Sequence, residues 1–354
     1  MWAALQNRGV RAALASAVLF GAGTPAAKLL LAGDVNPWLL AGLLYTGSGV
    51  GLALWRLVRR PGRVRIARRE VPALAGAVFF GGLAAPVLLM LGLAGMPASG
   101  ASLLLNAEGV FTALLAWVVF RENVDRRIVA GMAVIVAGAV ILSVPTGAQF
   151  ASPWAALPVV AACACWALDN NLTRKVALND ATWLAALKGS LAGPVNLGLA
   201  FLAGATVPPL LPILGAMSVG LIAYGVSLVL FIVAMRHIGT ARTGAYFSIA
   251  PFFGAMLAVA LGEPITWPVV VAAILMGIGV WLHLTEVHEH EHTHVALTHE
   301  HWHVHDDHHQ HTHPPGQDVP AGIGHRHLHA HEAITHSHPH YPDSHHQHHH
   351  GRPQ

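Results

Sequence analysis

The stretch PASGASLLLNAEGVFTALLAWVVFRE, residues 97–122, decides how this chain is to be read. It opens on a proline and small residues, runs apolar over 98–120 and closes on Arg121-Glu122. About 20 consecutive apolar residues are what a helix needs to cross the hydrocarbon core of a bilayer. Only Glu108, ten or so residues from either end, puts an ionisable group in the run. A carboxyl at that depth costs about 2.5–3.5 kcal/mol to insert and cannot reach the interface, so it marks a cavity or a partner.

Working outward, further apolar runs lie near 11–33, 37–57, 72–94, 126–145, 153–172, 181–203, 212–234, 240–261 and 266–284, which with the first makes ten. Turn residues separate them, among them Asn36-Pro37, Met96-Pro97, Pro208-Pro209 and Glu263-Pro264. Composition agrees. Of the 354 residues 54% are hydrophobic and 10% are Asp, Glu, Lys or Arg, against about 25% charged in a soluble domain. A soluble enzyme, a nucleic-acid binder and a disulfide scaffold are excluded. Cys163 and Cys165 are too close to staple a fold, and they point about 200° apart on a helix, so they read as packing residues.

The run at 97–122 has a counterpart about 141 residues later, IGTARTGAYFSIAPFFGAMLAVALGEP at 238–264, in which Glu263 takes the place of Glu122. Each copy holds five spans, so the second enters the membrane upside down. The charges fit. The loop after the second span carries Arg56, Arg59, Arg60, Arg63, Arg65, Arg68 and Arg69, while its counterpart at 204–211 carries none. The remaining loop arginines and lysine, Arg121, Arg126, Arg127, Arg174, Lys175, Arg236 and Arg242, fall on the same side together with Arg8 and Arg11. Positive loops stay in the cytoplasm, so both termini are expected there, in a plasma or inner membrane. Inverted repeats are a common plan of secondary transporters.

These residues resemble a known family. The Ala-Ser-rich helix start, Ala113-Leu114-Leu115-Ala116-Trp117, Glu122 and the second-copy Gly262-Glu263-Pro264 resemble the EamA-type branch of the drug/metabolite transporter superfamily over about 11–284. The resemblance implies ten helices in two inverted halves around a central cavity, lined by the fourth and ninth, with the fifth and tenth as scaffold. It implies a carrier, not an enzyme, for a small solute. One departure is visible. Where the family often has Glu-Pro in the fourth helix, this chain has Glu108-Gly109, and the proline survives only in the second copy as Pro251. The sequence therefore gives no reason for a kink in the fourth span.

The expected fold is an all-α integral membrane protein of ten transmembrane helices as two inverted five-helix repeats, 1–145 and 146–285, followed by a disordered tail, 286–354. Candidates for substrate binding or coupling are Glu108, Lys188, Asp169, Asn106, Tyr224 and Tyr246, with Ser102 and Thr112 as further hydrogen-bonding groups. Glu108 could instead form a structural ion pair with Lys188; if functional, it is suited to proton coupling. Asp169 could mark a helix end. Lys28 reads as a helix-end anchor. Gly47-x-x-x-Gly51 and Gly189-x-x-x-Gly193 read as close-packing motifs.

The tail holds 24 of the 26 histidines and is net −7 with histidine neutral, against +10 for the rest. His-x-His runs dominate: His288, His290, His292, His294; His299, His301, His303, His305; and His325, His327, His329, His331. Neutral imidazole ligates Zn, Ni, Co and Cu. The tail is expected to bind, buffer or sense such ions; a pH-responsive role competes, since protonating all 24 would carry it to +17. No cofactor is required. The expected partners are the lipid bilayer, a small-molecule or ion substrate and metal ions, with a homodimer left open. The leading function is export of a small solute or metabolite. Alternatives are export of a transition metal (Ni, Co or Zn) or a metal chelate, and a membrane-anchored metal sensor or store. An intramembrane metalloenzyme lacks a His-Glu-x-x-His pair within any span.

Overall fold

The computed structural model describes residues 7–33, 35–60, 64, 66–118, 126–143, 154–174, 176, 180–238, 240–284, 289–294, 297–303, 325–331 and 334–339. The chain divides into two units, Met1–Glu286 and Val287–Gln354.

Every regular element among the described residues of the first unit is a helix. In chain order come α1 (Arg8–Leu31), α2 (Pro37–Arg59), a short 3₁₀ turn (Arg68–Glu70), α3 (Val71–Ala77) and α4 (Ala85–Ala94). Next are α5 (Ala98–Leu104), α6 (Ala107–Val118), α7 (Arg126–Ser143), α8 (Ala156–Arg174) and α9 (Ala181–Leu202). The series closes with α10 (Leu210–Val219), α11 (Ser227–Ile238), α12 (Thr240–Phe247), α13 (Ala250–Ala260) and α14 (Trp267–Leu284). Helix thus occupies each of the ten apolar runs. Five rods, Arg8–Leu31, Pro37–Arg59, Arg68–Ala94, Ala181–Leu202 and Leu210–Met235, are long and apolar enough to cross a membrane, and shorter apolar helices accompany them. Their outward faces are greasy: Leu54, Leu57, Val58, Leu202, Leu210 and Leu211 are all exposed. Exposed Trp55 and Trp281 near one end, and Trp154 and Trp267 near the other, match the aromatic belts of a membrane protein.

Local chemistry fixes the helix starts. Asn36 Oδ1 accepts from the amides of Trp38 at 2.9 Å and Leu39 at 3.2 Å, with Pro37 in the first turn, and Asp180 does the same for Trp183 at 2.6 Å. Both are N-cap residues that satisfy amides the helix leaves open.

Two irregularities recur at matching places. A π-helical segment, Val78–Ala84, joins α3 to α4, and another, Gly220–Val226, joins α10 to α11, 142 residues further on. Both long cavity-side helices are broken as well, at Leu105-Asn106 and at Ser248-Ile249. The second break is explained by Pro251, whose missing amide cannot continue the ladder. The first gives the fourth span a break for which its sequence, lacking the proline, offered no reason. There the Asn106 side chain donates to Leu103 O at 3.0 Å, and the amides of Leu105 and Asn106 reach back only three residues, to Ser102 O and Leu103 O. A side-chain donor that competes for a helix carbonyl disrupts the regular ladder without a proline.

Packing follows the same pattern. α2 crosses α9, and α7 lies along α14. α1 packs on α11 and α13, as α8 packs on α4 and α6; α2 meets the second π segment, as α9 meets the first. At the α2–α9 crossing the backbones of Gly49 and Gly189 approach so closely that neither has room for a Cβ. Gly47 and Gly51 face Met217 and Leu221 instead, so the two glycine motifs do serve close approach, on two different sides of α2. Cys163 is buried and its Sγ contacts Leu104 O at 3.6 Å, while Cys165 packs against the core.

In the second unit, β1 (Glu289–His294) pairs antiparallel with β4 (Ile334–Pro339), and β2 (Leu297–His303) with β3 (His325–His331). This corrects the expectation of a wholly disordered tail. The physical reason lies in the His-x-His spacing, whose period of two is that of a strand. The register sets His290 and His292 opposite His338 and His336, and His299, His301 and His303 opposite His329, His327 and His325. His288 and His305 lie outside the described residues.

Candidate substrate site

A cleft opens among the helices of the first unit, lined by residues of α1, α2, α6, α8, α9, the second π segment, α11 and α12. Its ionisable groups are Glu108, Asp169 and Lys188. Lys188 Nζ donates to Asp169 Oδ1 at 2.5 Å and to Thr173 Oγ1 at 3.1 Å, and Thr173 Oγ1 donates to Asp169 Oδ1 at 2.8 Å. All three side chains are buried. The ion pair anticipated between Glu108 and Lys188 is therefore replaced by one between Asp169 and Lys188. Asp169 lies within α8, not at its end. Glu108, in the first turn of α6, accepts instead from Asn170 Nδ2 at 2.5 Å. Its Oε2 has no hydrogen-bond partner among the described residues.

Aromatic rings make the rest of the wall. Phe20 meets Trp166, Tyr224 and Phe247 with centroids 5.8, 5.9 and 5.3 Å apart, Tyr45 meets Tyr224 at 5.6 Å, and Phe231 meets Phe247 at 4.9 Å. Tyr45 Oη donates to Gly81 O at 2.5 Å, and Asn196 Nδ2 donates to Gly82 O at 3.2 Å. Both carbonyls belong to the first π segment, whose i→i+5 geometry loosens the normal ladder.

The structure thus brings Glu108, Asp169, Lys188 and Tyr224 together and leaves two expected residues out. Asn106 is occupied at the helix break, by Leu103 O and the Met276 sulfur at 3.8 Å, and Tyr246 packs against Ala12, Ala13 and Ala234. Thr112 Oγ1 is tied to Glu108 O at 2.9 Å, and buried Ser102 lies against Gly254. Sequence reasoning missed Phe20, Tyr45, Trp166, Phe231 and Phe247. Their signal was an aromatic in mid-span, but each alone reads as core.

The two ends of the bundle differ. At the arginine-free end, Glu263 accepts the amides of Ala98 at 2.7 Å and Ser99 at 2.9 Å. Lys28 Nζ donates to Leu93 O at 2.8 Å and Ala94 O at 3.4 Å, so it does anchor a helix end, that of α4. α5 packs on α13, α14 and α1 there. At the arginine-bearing end, α12 makes no comparable packing against α6, α7 or α8 among the described residues. Arg56 and Asp180 form an ion pair at 2.5 Å at that end. Glu122 falls outside the described residues.

Comparison with known proteins agrees with this architecture. An uncharacterized transporter of Methanothermobacter thermautotrophicus is 28% identical over 288 residues, which cover 76% of this chain and 84% of that protein. A crystal structure described only as that of a protein is similar in fold, with a TM-score of 0.57 and 20% identity over 76% of this chain and 94% of its own. The EamA-like transporter family model matches twice, over residues 7–144 and 153–285. This multi-pass membrane protein belongs to the EamA-like transporter family, within the drug/metabolite transporter superfamily.

Proposed function

We propose that the chain is a secondary-active exporter of a small organic solute, built as ten transmembrane helices in two inverted five-helix halves. The paired π segments, the paired helix breaks and the double family match support the inverted plan. The observation that carries the function is the cleft in which Glu108, in the first turn of a half-helix, keeps one oxygen uncommitted beside an aromatic wall. Asp169, Asn170 and Lys188 lie in the halves of α8 and α9 nearer the arginine-bearing end, so we read the cleft as reached from that side, which the positive-inside rule makes cytoplasmic, with both termini there and the plasma or inner membrane as its home. A cleft loaded from the cytoplasm suits export, and Glu108 is the group placed to exchange a proton for solute.

Export of a bare transition metal has less support. Among the described residues no three His, Cys, Asp or Glu side chains come together to hold an ion, whereas such a cargo wants several ligands. The tail is the metal-binding part in this reading. Its in-register histidines would take up Zn, Ni, Co or Cu, to buffer or sense the ion beside the carrier. Division at 145/146 and 285/286 separates the two halves and the tail.

The test is efflux from proteoliposomes of the full chain, loaded with a defined metabolite mixture and placed across a pH gradient, with the medium analysed by mass spectrometry. At least one solute should leave wild-type vesicles faster than vesicles carrying Glu108→Gln. No such solute, or full gradient-driven efflux by the variant, would sink the reading.

A further inference from the structure

Resting on the assignment of the cleft as the substrate site, we propose that its ligand is an organic monocation, an amine carried on an aryl or branched-alkyl body. The argument begins with charge. Three ionisable groups line the cleft, and two of them cancel: Lys188 and Asp169 are 2.5 Å apart, and Thr173 fills further hydrogen-bonding positions on both. Glu108 remains, with Asn170 as a neutral donor to one oxygen. When ionised, the site carries one uncompensated negative charge.

The wall sharpens the choice. Phe20, Trp166, Tyr224, Phe231 and Phe247 line the same cleft as the carboxyl, and ring faces attract a cation while offering nothing to an anion. Tyr45 and Ser227 also line the cleft, but their hydroxyls are spent on Gly81 O and on Ser16 O, so neither donates to a ligand. A ligand carboxylate would find only neutral donors such as the Tyr224 hydroxyl, unless it took Lys188 from Asp169 and exposed a second buried negative charge. A zwitterion meets the same obstacle with half of its charge. An ammonium needs only the open oxygen of Glu108. A divalent metal ion would find there only Glu108 and the already paired Asp169, since no three His, Cys, Asp or Glu side chains come together among the described residues.

A matched set separates the charge types on one body: phenethylamine, 2-phenylethanol, 3-phenylpropionate and phenylalanine. Binding of each to the full-length protein in nanodiscs is measured by calorimetry, and counterflow of each is measured in proteoliposomes. Phenethylamine should bind at least tenfold more tightly than the alcohol, with the acid and the amino acid weaker still. Glu108→Gln should lose that preference and Glu108→Asp should keep part of it, both while eluting as monodisperse protein. Equal binding of all four, no binding by any, or a preference that survives Glu108→Gln overturns the proposal. If phenylalanine or 3-phenylpropionate is carried and phenethylamine is not, the monocation falls while the carrier reading stands. If phenethylamine binds without counterflow or efflux, the ligand class holds and the carrier reading falls.

Discussion

Asp169 and Lys188 pair at 2.5 Å between α8 and α9 in the wall of the cleft, both largely buried, and this pairing leaves Glu108 to answer for the cleft. The two partners lie 19 residues apart in sequence and meet where α8 and α9 both pack on the first π segment, Val78–Ala84. Breaking a buried pair strands a charge, whereas removing both ends is far milder. Asp169→Asn or Lys188→Met alone should therefore destabilise the protein by about 3–5 kcal/mol. The double variant should recover most of that loss, and thermal unfolding in detergent for the full double-mutant cycle checks the coupling.

Two glycines test helix approach. A Cβ at Gly220 would run into the backbone of Leu44, while one at Gly198 meets nothing within 4 Å. Gly220→Ala should cost about 1–3 kcal/mol by overpacking. Gly198→Ala should instead stabilise by about 0.5–1 kcal/mol, since glycine is a poor helix former. Unfolding titrations of the two variants should move in opposite directions.

Glu263 holds the first amides of α5. Glu263→Ala should remove a cap worth about 1 kcal/mol. Hydrogen exchange at Ala98 and Ser99 should speed up, with the amides in the middle of α9 unchanged.

Access should be one-sided. In a background with Cys163 and Cys165 replaced, Phe231→Cys should react with an impermeant thiol reagent supplied at the arginine-bearing face and stay protected from the opposite one. Leu103→Cys, fully buried toward the arginine-free end, should resist the reagent from both.

The tail should respond to acid. Imidazole ligates metal only when neutral, so Zn or Ni retention by full-length protein should be complete above about pH 6.5 and fade as pH falls through that value. Equilibrium dialysis across pH 5–8 reads this directly. Replacing His299, His301, His327 and His329 with Asn should lower the number of ions retained.

Much of this architecture was legible in residue order. Apolar runs announced the helices, and the depth of Glu108 marked it as the odd group in a span. Lys188 and Asp169 were legible as candidates but not as a couple, because helix packing, not spacing, chooses partners. Asn106 misled for a local reason: a polar side chain in a span can turn on its own backbone as readily as face a cavity. The aromatic wall stayed hidden because Phe20, Trp166 and Phe247 each read as ordinary core until α1, α8 and α12 bring them together. The break at Leu105-Asn106 had no proline to announce it.

The π segments at Val78–Ala84 and Gly220–Val226 carry a history. A π turn arises when one residue more than an α-helix can absorb is lodged in it, and such surplus residues persist at functional sites. Here the surplus recurs 142 residues later, in two stretches matched by one and the same family model. The two matched stretches thus share one irregularity at one place, which is what would be left if a single unit had acquired the bulge before being doubled.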